Sequence, residues 1–217
     1  MAPGLTFGPS GNLYVVNDNP FNSSVLEFNG TTGAYLETFV STGGTLGYAD
    51  FFTFGPNGNL YVADALNNQV LEYNGTTGAF LTTFVTTGSG GLSSPEGIVF
   101  GPNGNLFVAS LYNNQVLEYN GATGAFSEAF VASGSGGLEF PDGIEFGPGN
   151  NLFVASNSNQ VLEYNGSTGA YIGIFASASL SNSGGLAFTG LSAAPEPGTL
   201  LMLGCGLVAL GAVRRRL

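Results

Sequence analysis

The sequence predicts an all-β protein: a β-propeller of four-stranded antiparallel blades, in four repeats that make an open partial ring, with a transmembrane helix at the C-terminus. Three observations predict this. The segment Phe7-Gly8-Pro9-Ser10-Gly11-Asn12-Leu13 returns at Phe54, Phe100 and Phe146, at offsets of 47, 46 and 46. A second block, Val25 to Gly33, keeps step at Val70, Val116 and Val161. Within each repeat the apolar runs are about strand length and end in Gly/Asn turns, and nothing there reads as a helix.

The third repeat shows how one unit is built. Gly97-Ile98-Val99-Phe100 is a first strand, and Pro102-Asn103-Gly104-Asn105 is turn chemistry, because Asn and Gly tolerate positive φ. Leu106 to Ala109 is a second strand, Gln115 to Tyr119 a third and Ala125 to Val131 a fourth. Four such strands make a meander that cannot bury its own aromatic residues, so each unit needs neighbours, as propeller blades do. The set Phe28, Tyr35, Tyr73, Phe80, Tyr119, Tyr164 and Tyr171 is therefore expected in the core between blades. Glu27, Glu72, Glu118 and Glu163 recur on the third strand and are expected half-solvated at strand edges. Asp18 and Asp64, beside Asn residues, read as turn residues.

The repeats run at about 4–46, 47–92, 93–138 and 139–183, with an orphan strand at 184–190 inside a first module of residues 1–192. Gly185-Leu186-Ala187-Phe188 matches Gly97 to Phe100, a fifth innermost strand with no partner strands after it. The expectation is an open arc of four blades that leaves Phe7 and Phe175 uncovered.

Composition excludes several functions. The 217 residues contain no His, and the three basic residues are Arg214, Arg215 and Arg216, so the 14 carboxylates elsewhere face no cation. Nucleic acid is excluded as a partner, because nothing in the repeats can neutralise phosphate. Without His there is no imidazole base for a Ser-His or Cys-His mechanism. The single Cys205 allows neither a disulfide framework nor a thiolate metal site.

Gly97-Ile98, Pro102 to Ser110 and Asn113-Asn114-Gln115-Val116 together resemble the NHL repeat. The second unit, with Tyr61-Val62-Ala63-Asp64 and Asn67-Asn68-Gln69-Val70, is most similar to it. Gluconolactonase-like and virginiamycin B lyase-like propellers are related families. This chain has Gln69, Gln115 and Gln160 where the NHL pattern often has Arg, and it lacks the basic face of RNA-binding members.

The second module is residues 193–217. Pro195-Glu196-Pro197 precedes an apolar run from Thr199 to Val213, which is followed by Arg214-Arg215-Arg216. As a helix that run would reach ~22 Å, against ~30 Å of hydrocarbon. The Arg cluster would stay on the cytoplasmic side. The order of Pro-Glu-Pro, apolar run and Arg cluster resembles a PEP-CTERM sorting signal; the alternative is a plain tail anchor. The resemblance implies export, transient retention in the inner membrane through the tail, an exosortase-type processing partner and a destination at the cell surface or outside. Met1-Ala2-Pro3-Gly4 has neither a basic n-region nor an apolar stretch, so the expectation is that the true N-terminus lies upstream.

Asp50, Glu96 and Asp142 hold one place in successive repeats, four residues before Phe54, Phe100 and Phe146. That place opens the innermost strand, so the three are candidates for one channel mouth and for a hard cation such as calcium. The gluconolactonase-like resemblance implies a metal in about this region. The plainer reading is solvated loop carboxylates. Two functions follow: a non-catalytic surface or matrix module that contacts polysaccharide or protein, which the near-identity of the repeats favours, or a metal-dependent lactonase-like or lyase-like enzyme. The lyase version depends on a His that is absent.

Overall fold

In the computed structural model of the chain, residues 4–19, 22–41, 46–177, 185–189 and 199–203 are described. They form four antiparallel sheets of four strands each, in simple meander order, and one two-stranded sheet near the C-terminus. The first holds β1 (Leu5–Phe7), β2 (Leu13–Asn17), β3 (Ser24–Phe28) and β4 (Tyr35–Val40). The second holds β5 (Ala49–Phe54), β6 (Leu60–Asp64), β7 (Gln69–Tyr73) and β8 (Phe80–Val85). The third holds β9 (Pro95–Phe100), β10 (Leu106–Ser110), β11 (Gln115–Tyr119) and β12 (Phe126–Val131). The fourth holds β13 (Ile144–Phe146), β14 (Leu152–Ser156), β15 (Gln160–Tyr164) and β16 (Tyr171–Ser177). Among the described residues the helical elements are short 3-10 turns.

The turns form where the sequence supplies residues for positive φ. Gly11, Gly58 and Gly104 adopt φ of 77–79° at the tips of the first hairpins. A side chain at Gly75 or Gly121 would run into the carbonyl oxygen of Gly58 or Gly104, so these later turns lie directly on the hairpin tips.

The second strands β6, β10 and β14 are buried at every residue. Both faces of each are covered because each sheet lies between neighbours, as in parallel-stacked blades. The boundaries share one aromatic cluster. Tyr61 packs edge-on against Phe84 of its own sheet and Phe100 of the next, with both ring centroids 4.9 Å away. Tyr14 does the same with Phe39 and Phe54, and Phe107 with Phe130 and Phe146. The innermost strands also join directly, through Gly4 N to Asp50 O at 3.2 Å and Gly97 N to Asp142 O at 3.1 Å.

The expected aromatic core divides by strand. Tyr73, Tyr119 and Tyr164 are buried, while Tyr35, Phe80 and Tyr171 begin the outermost strands and are 40–56% exposed. Each of these outer rings lies edge-on against the inner ring that faces it across the ladder, and because the outermost strand has no further strand beside it, its ring stays partly in solvent. Phe7 is 62% exposed where its counterparts Phe54, Phe100 and Phe146 are half-buried, and Phe175 is 40% exposed where its counterparts Phe39, Phe84 and Phe130 are buried.

The C-terminus corrects two expectations. Thr199–Leu203 is not helical: it is a strand, β18, paired antiparallel with β17 (Gly185–Thr189). The fifth innermost strand thus has a partner, taken from the apolar run. No helix among the described residues is long and apolar enough to cross a membrane. The physical reason is that an isolated short helix is marginal in water, whereas an open strand edge offers ready backbone partners. Pro195, Glu196, Pro197 and Arg214 to Arg216 lie outside the described residues.

Candidate functional site

In the second, third and fourth sheets the chain bulges at or just before the start of the innermost strand, and the bulge carries the candidate carboxylate. Ala49 faces Asp64 and Phe52 faces Val62, so Asp50 and Phe51 occupy one step of the partner strand. In the third sheet Pro95 faces Ser110 and Ile98 faces Val108, which places Glu96 and Gly97 in the same extra step. In the fourth, Asp142 N donates to Ala155 O at 3.0 Å and Ala155 N donates to Gly143 O at 2.8 Å, so two residues oppose one. A bulge re-aims a side chain out of the alternating pattern. This is why Asp50 and Glu96 are buried at 3% and 2% exposure at a strand start that the sequence suggests is a solvated loop.

The three carboxylates lie at the same end of adjacent sheets. The Asp50 and Glu96 carboxyl groups lie within reach of each other, which disfavours both being ionised at once. Glu96 is pushed up to about 9, first by burial, then by the Asp50 charge and hydrogen bonding with Asp50, and by the charge of Asp142. Asp142 rises to about 7 through burial and the Asp50 charge. Asp50 is raised by burial and by Asp18, although its bond to Glu96 opposes the shift. Ser94 Oγ reaches Glu96 Oε1 at 3.5 Å, while Glu96 Oε2 and Asp142 Oδ1 are buried with no hydrogen-bond partner. No Lys, Arg or His occurs before Arg214, so no side chain of the sheets can neutralise the group. Among the described residues no three acidic, His or Cys side chains gather into a metal-binding set.

The loops at this end are held by inter-sheet clamps. Asn68 Oδ1 accepts from Ser94 N at 2.6 Å, and Asn114 Oδ1 accepts from Phe140 N at 2.8 Å. Ser94 and Phe140, each two residues before a carboxylate, are held at φ of 50° and 43°. Non-glycine residues reach that region at a cost, and strain of this kind concentrates at functional sites. Around the carboxylates, Leu66, Tyr112 and Phe140 stand 68%, 66% and 43% exposed on these loops. The paired Asn residues were legible in sequence as turns; their grip on the following sheet was not.

Other acidic residues are structural. Asp64 is fully buried and accepts from Gly47 N, Tyr48 N, Asn67 Nδ2 and Gln69 Nε2 at 2.8–3.1 Å, so it is an anchor for the incoming loop rather than a simple turn residue. Ser110 and Ser156 hold the same place in later sheets and accept from Ser93 N and Glu139 N, each at 3.0 Å. Glu27 and Glu118 are buried rather than half-solvated. Each of the four third-strand Glu residues accepts from the Asn that ends the first hairpin, Asn12, Asn59, Asn105 or Asn151, at 2.7–2.8 Å.

Residues 193–216 match the family described as the PEP-CTERM protein-sorting motif. No curated protein matches the sequence. The fold is similar to a catalytically inactive virginiamycin B lyase from Staphylococcus aureus with quinupristin, at TM-score 0.66 and 18% identity, covering 92% of this chain and 62% of that one. It is similar to a protein described as a gluconolactonase, at TM-score 0.70 and 18% identity, covering 95% and 70%. It is also similar to a streptogramin B lyase, at TM-score 0.65 and 17% identity, covering 92% and 61%. The chain spans less than two thirds of the length of the two lyases. These likenesses show a propeller-type fold.

Proposed function

We propose that this chain is an exported cell-surface or matrix protein, processed by an exosortase-type enzyme, whose NHL-like propeller is a non-catalytic binding module. The observation that carries the sorting half is the PEP-CTERM match at residues 193–216. Export supplies the setting, and the tail holds the chain at the inner membrane until processing. The binding half is supported by the end of the sheets where Leu66, Tyr112 and Phe140 rim the buried carboxylates. The exposed Tyr112 and Phe140 rings suit a hydroxyl-rich polysaccharide, whose sugar faces stack on them. A protein partner would use the same rim.

Sorting is tested in cells that export the chain. Replacing Pro195, Glu196 and Pro197 with Ala should keep the protein in the membrane fraction, and normal release would refute the sorting role. Binding is tested on the full chain with surface polysaccharide from the producing cells. Tyr112→Ala should lower retention about tenfold, the scale of one lost stacking contact; unchanged retention would remove the rim from the reading.

The second reading is a metal-dependent lactonase-like or lyase-like enzyme. The two orphan oxygens, Glu96 Oε2 and Asp142 Oδ1, favour it, since buried carboxylate oxygens without donors suit a hard cation. The lack of a gathered ligand set and of any His stands against it. Titration calorimetry with calcium decides: no heat at millimolar calcium removes it.

A further inference from the structure

We propose that the sorting tail has two alternative folds: in water Thr199–Leu203 stands in for the second strand of a blade against Gly185–Thr189, and in a bilayer the same residues leave that strand for a membrane-embedded segment. The inference rests on the sorting motif and the β17–β18 pairing. It does not depend on the binding-module reading.

The pairing reproduces the register of the repeats. In the third sheet Phe100 faces Leu106, Val99 faces Phe107 and Ile98 faces Val108. In the tail Phe188 faces Leu200, Ala187 faces Leu201 and Leu186 faces Met202. The Phe–Leu pair also recurs as Phe7–Leu13, Phe54–Leu60 and Phe146–Leu152. The position relative to the preceding sheet is reproduced too. The strand β9 lies against β5 and β6, and β17 lies against β13 and β14 in the same relation. The opening of the apolar run therefore occupies the place of a second strand in a further blade.

The tail's sequence explains why the surroundings choose between the folds. Thr199 to Val213 is uncharged but contains Gly204, Gly206 and Gly211, and glycine is the poorest helix former apart from proline. In water a helix this short and glycine-rich is not self-supporting, while pairing with β17 satisfies the backbone of Thr199–Leu203 along one edge. In hydrocarbon an open strand edge is forbidden and each backbone group must pair within the segment, which favours a helix. Residues 195–197 lie in sequence between the two strands, so a cut there would leave β18 attached to β17 through pairing alone. The strand state keeps the start of the apolar run engaged with the sheets until lipid competes for it.

The test uses the full chain with Cys205→Ser and two engineered cysteine pairs, Leu186→Cys with Met202→Cys and Ala187→Cys with Leu201→Cys. Two pairs are needed because one register position favours a disulfide over its neighbour. The control is Thr31→Cys with Leu201→Cys. In buffer, at least one facing pair should oxidise about tenfold faster than the control, since pairing raises the effective thiol concentration. On vesicles of phosphatidylethanolamine and phosphatidylglycerol that advantage should disappear in the vesicle-bound fraction. Equal rates in buffer would overturn the strand state. An undiminished advantage on vesicles would overturn the exchange. Because a variant could fold poorly, amide exchange of residues 199–203 in the Cys205→Ser chain is a second readout: protection in buffer supports the strand, and its absence refutes it. Loss of polysaccharide binding would leave all these results unchanged, so the two readings fail separately.

Discussion

Glu72 Oε1 accepts the hydroxyl proton of Tyr61 at 2.9 Å, directly across the β6–β7 ladder. The same oxygen takes Asn59 Nδ2 at 2.8 Å and Asn57 Nδ2 at 3.2 Å. One carboxylate thus ties the hairpin tip between β5 and β6 to the third strand and fixes the ring at the centre of an aromatic cluster. Glu27 does the same with Tyr14 and Asn12. In the third and fourth sheets Phe107 and Phe153 replace the Tyr, and the Asn contacts remain.

Removing that acceptor should be costly. Glu72→Ala removes the acceptor of the Tyr61 hydroxyl proton and of Asn59 Nδ2, while Asn57 Nδ2 keeps its bond to the Tyr61 oxygen, so a loss of about 1–3 kcal/mol in urea unfolding is expected. Glu72→Gln keeps one oxygen acceptor and should lose less. Equal stability of Glu72→Ala and wild type would show that water replaces the carboxylate.

The carboxylate cluster sets an unusual pH dependence. Glu96 rises from 4.5 to about 9 in the folded chain, so between those values the folded state holds a proton that the unfolded state has released. Its contribution is full below about pH 4.5 and is lost as pH rises through about 9. Asp142, raised from 3.8 to about 7, adds a slope of the same sign at lower pH. The melting temperature should therefore fall from pH 5 to pH 9, and Glu96→Gln, which cannot ionise, should flatten the fall. A wild-type melting temperature that rises with pH over this range would contradict the upward shift of Glu96.

Equivalent rings should differ in value according to what covers them. Phe84 is 7% exposed between two sheets, and Phe84→Ala should cost about 3–5 kcal/mol. Phe175 occupies the same place in the fourth sheet but is 40% exposed, so Phe175→Ala should cost about half as much or less. Denaturant midpoints of the two variants test the contrast, and similar losses would mean that Phe175 is covered in solution.

A single methyl group should disrupt a turn. The Cβ of Gly121→Ala would meet the backbone oxygen of Gly104, and a backbone atom cannot step aside as a side chain can. A loss of about 1–3 kcal/mol is expected, the usual cost of overpacking. Gly104→Ala meets no atom but is strained by its φ of 79°, so it should cost about 1 kcal/mol. Thermal melts of both variants check the order.

The repeat order, the four strands per unit and the turn positions were all legible in the chain, because they depend on local periodicity and on the φ freedom of Gly and Asn. The Pro-Glu-Pro motif, the apolar run and the Arg cluster were legible for the same reason: they lie in order along the sequence. Tertiary structure alone decided what each side chain meets. Asp50 and Glu96 come together because bulges on neighbouring strands turn them away from the alternating pattern, and alternation along a strand does not reveal a bulge. Glu72 is an acceptor for three donors because the hairpin tip folds over the third strand, a contact 11–15 residues away in sequence. Thr199–Leu203 is a strand rather than a helix because an unpaired innermost strand lies within reach. Local sequence determines which conformations a segment tolerates, and the partner available in space determines which one it takes.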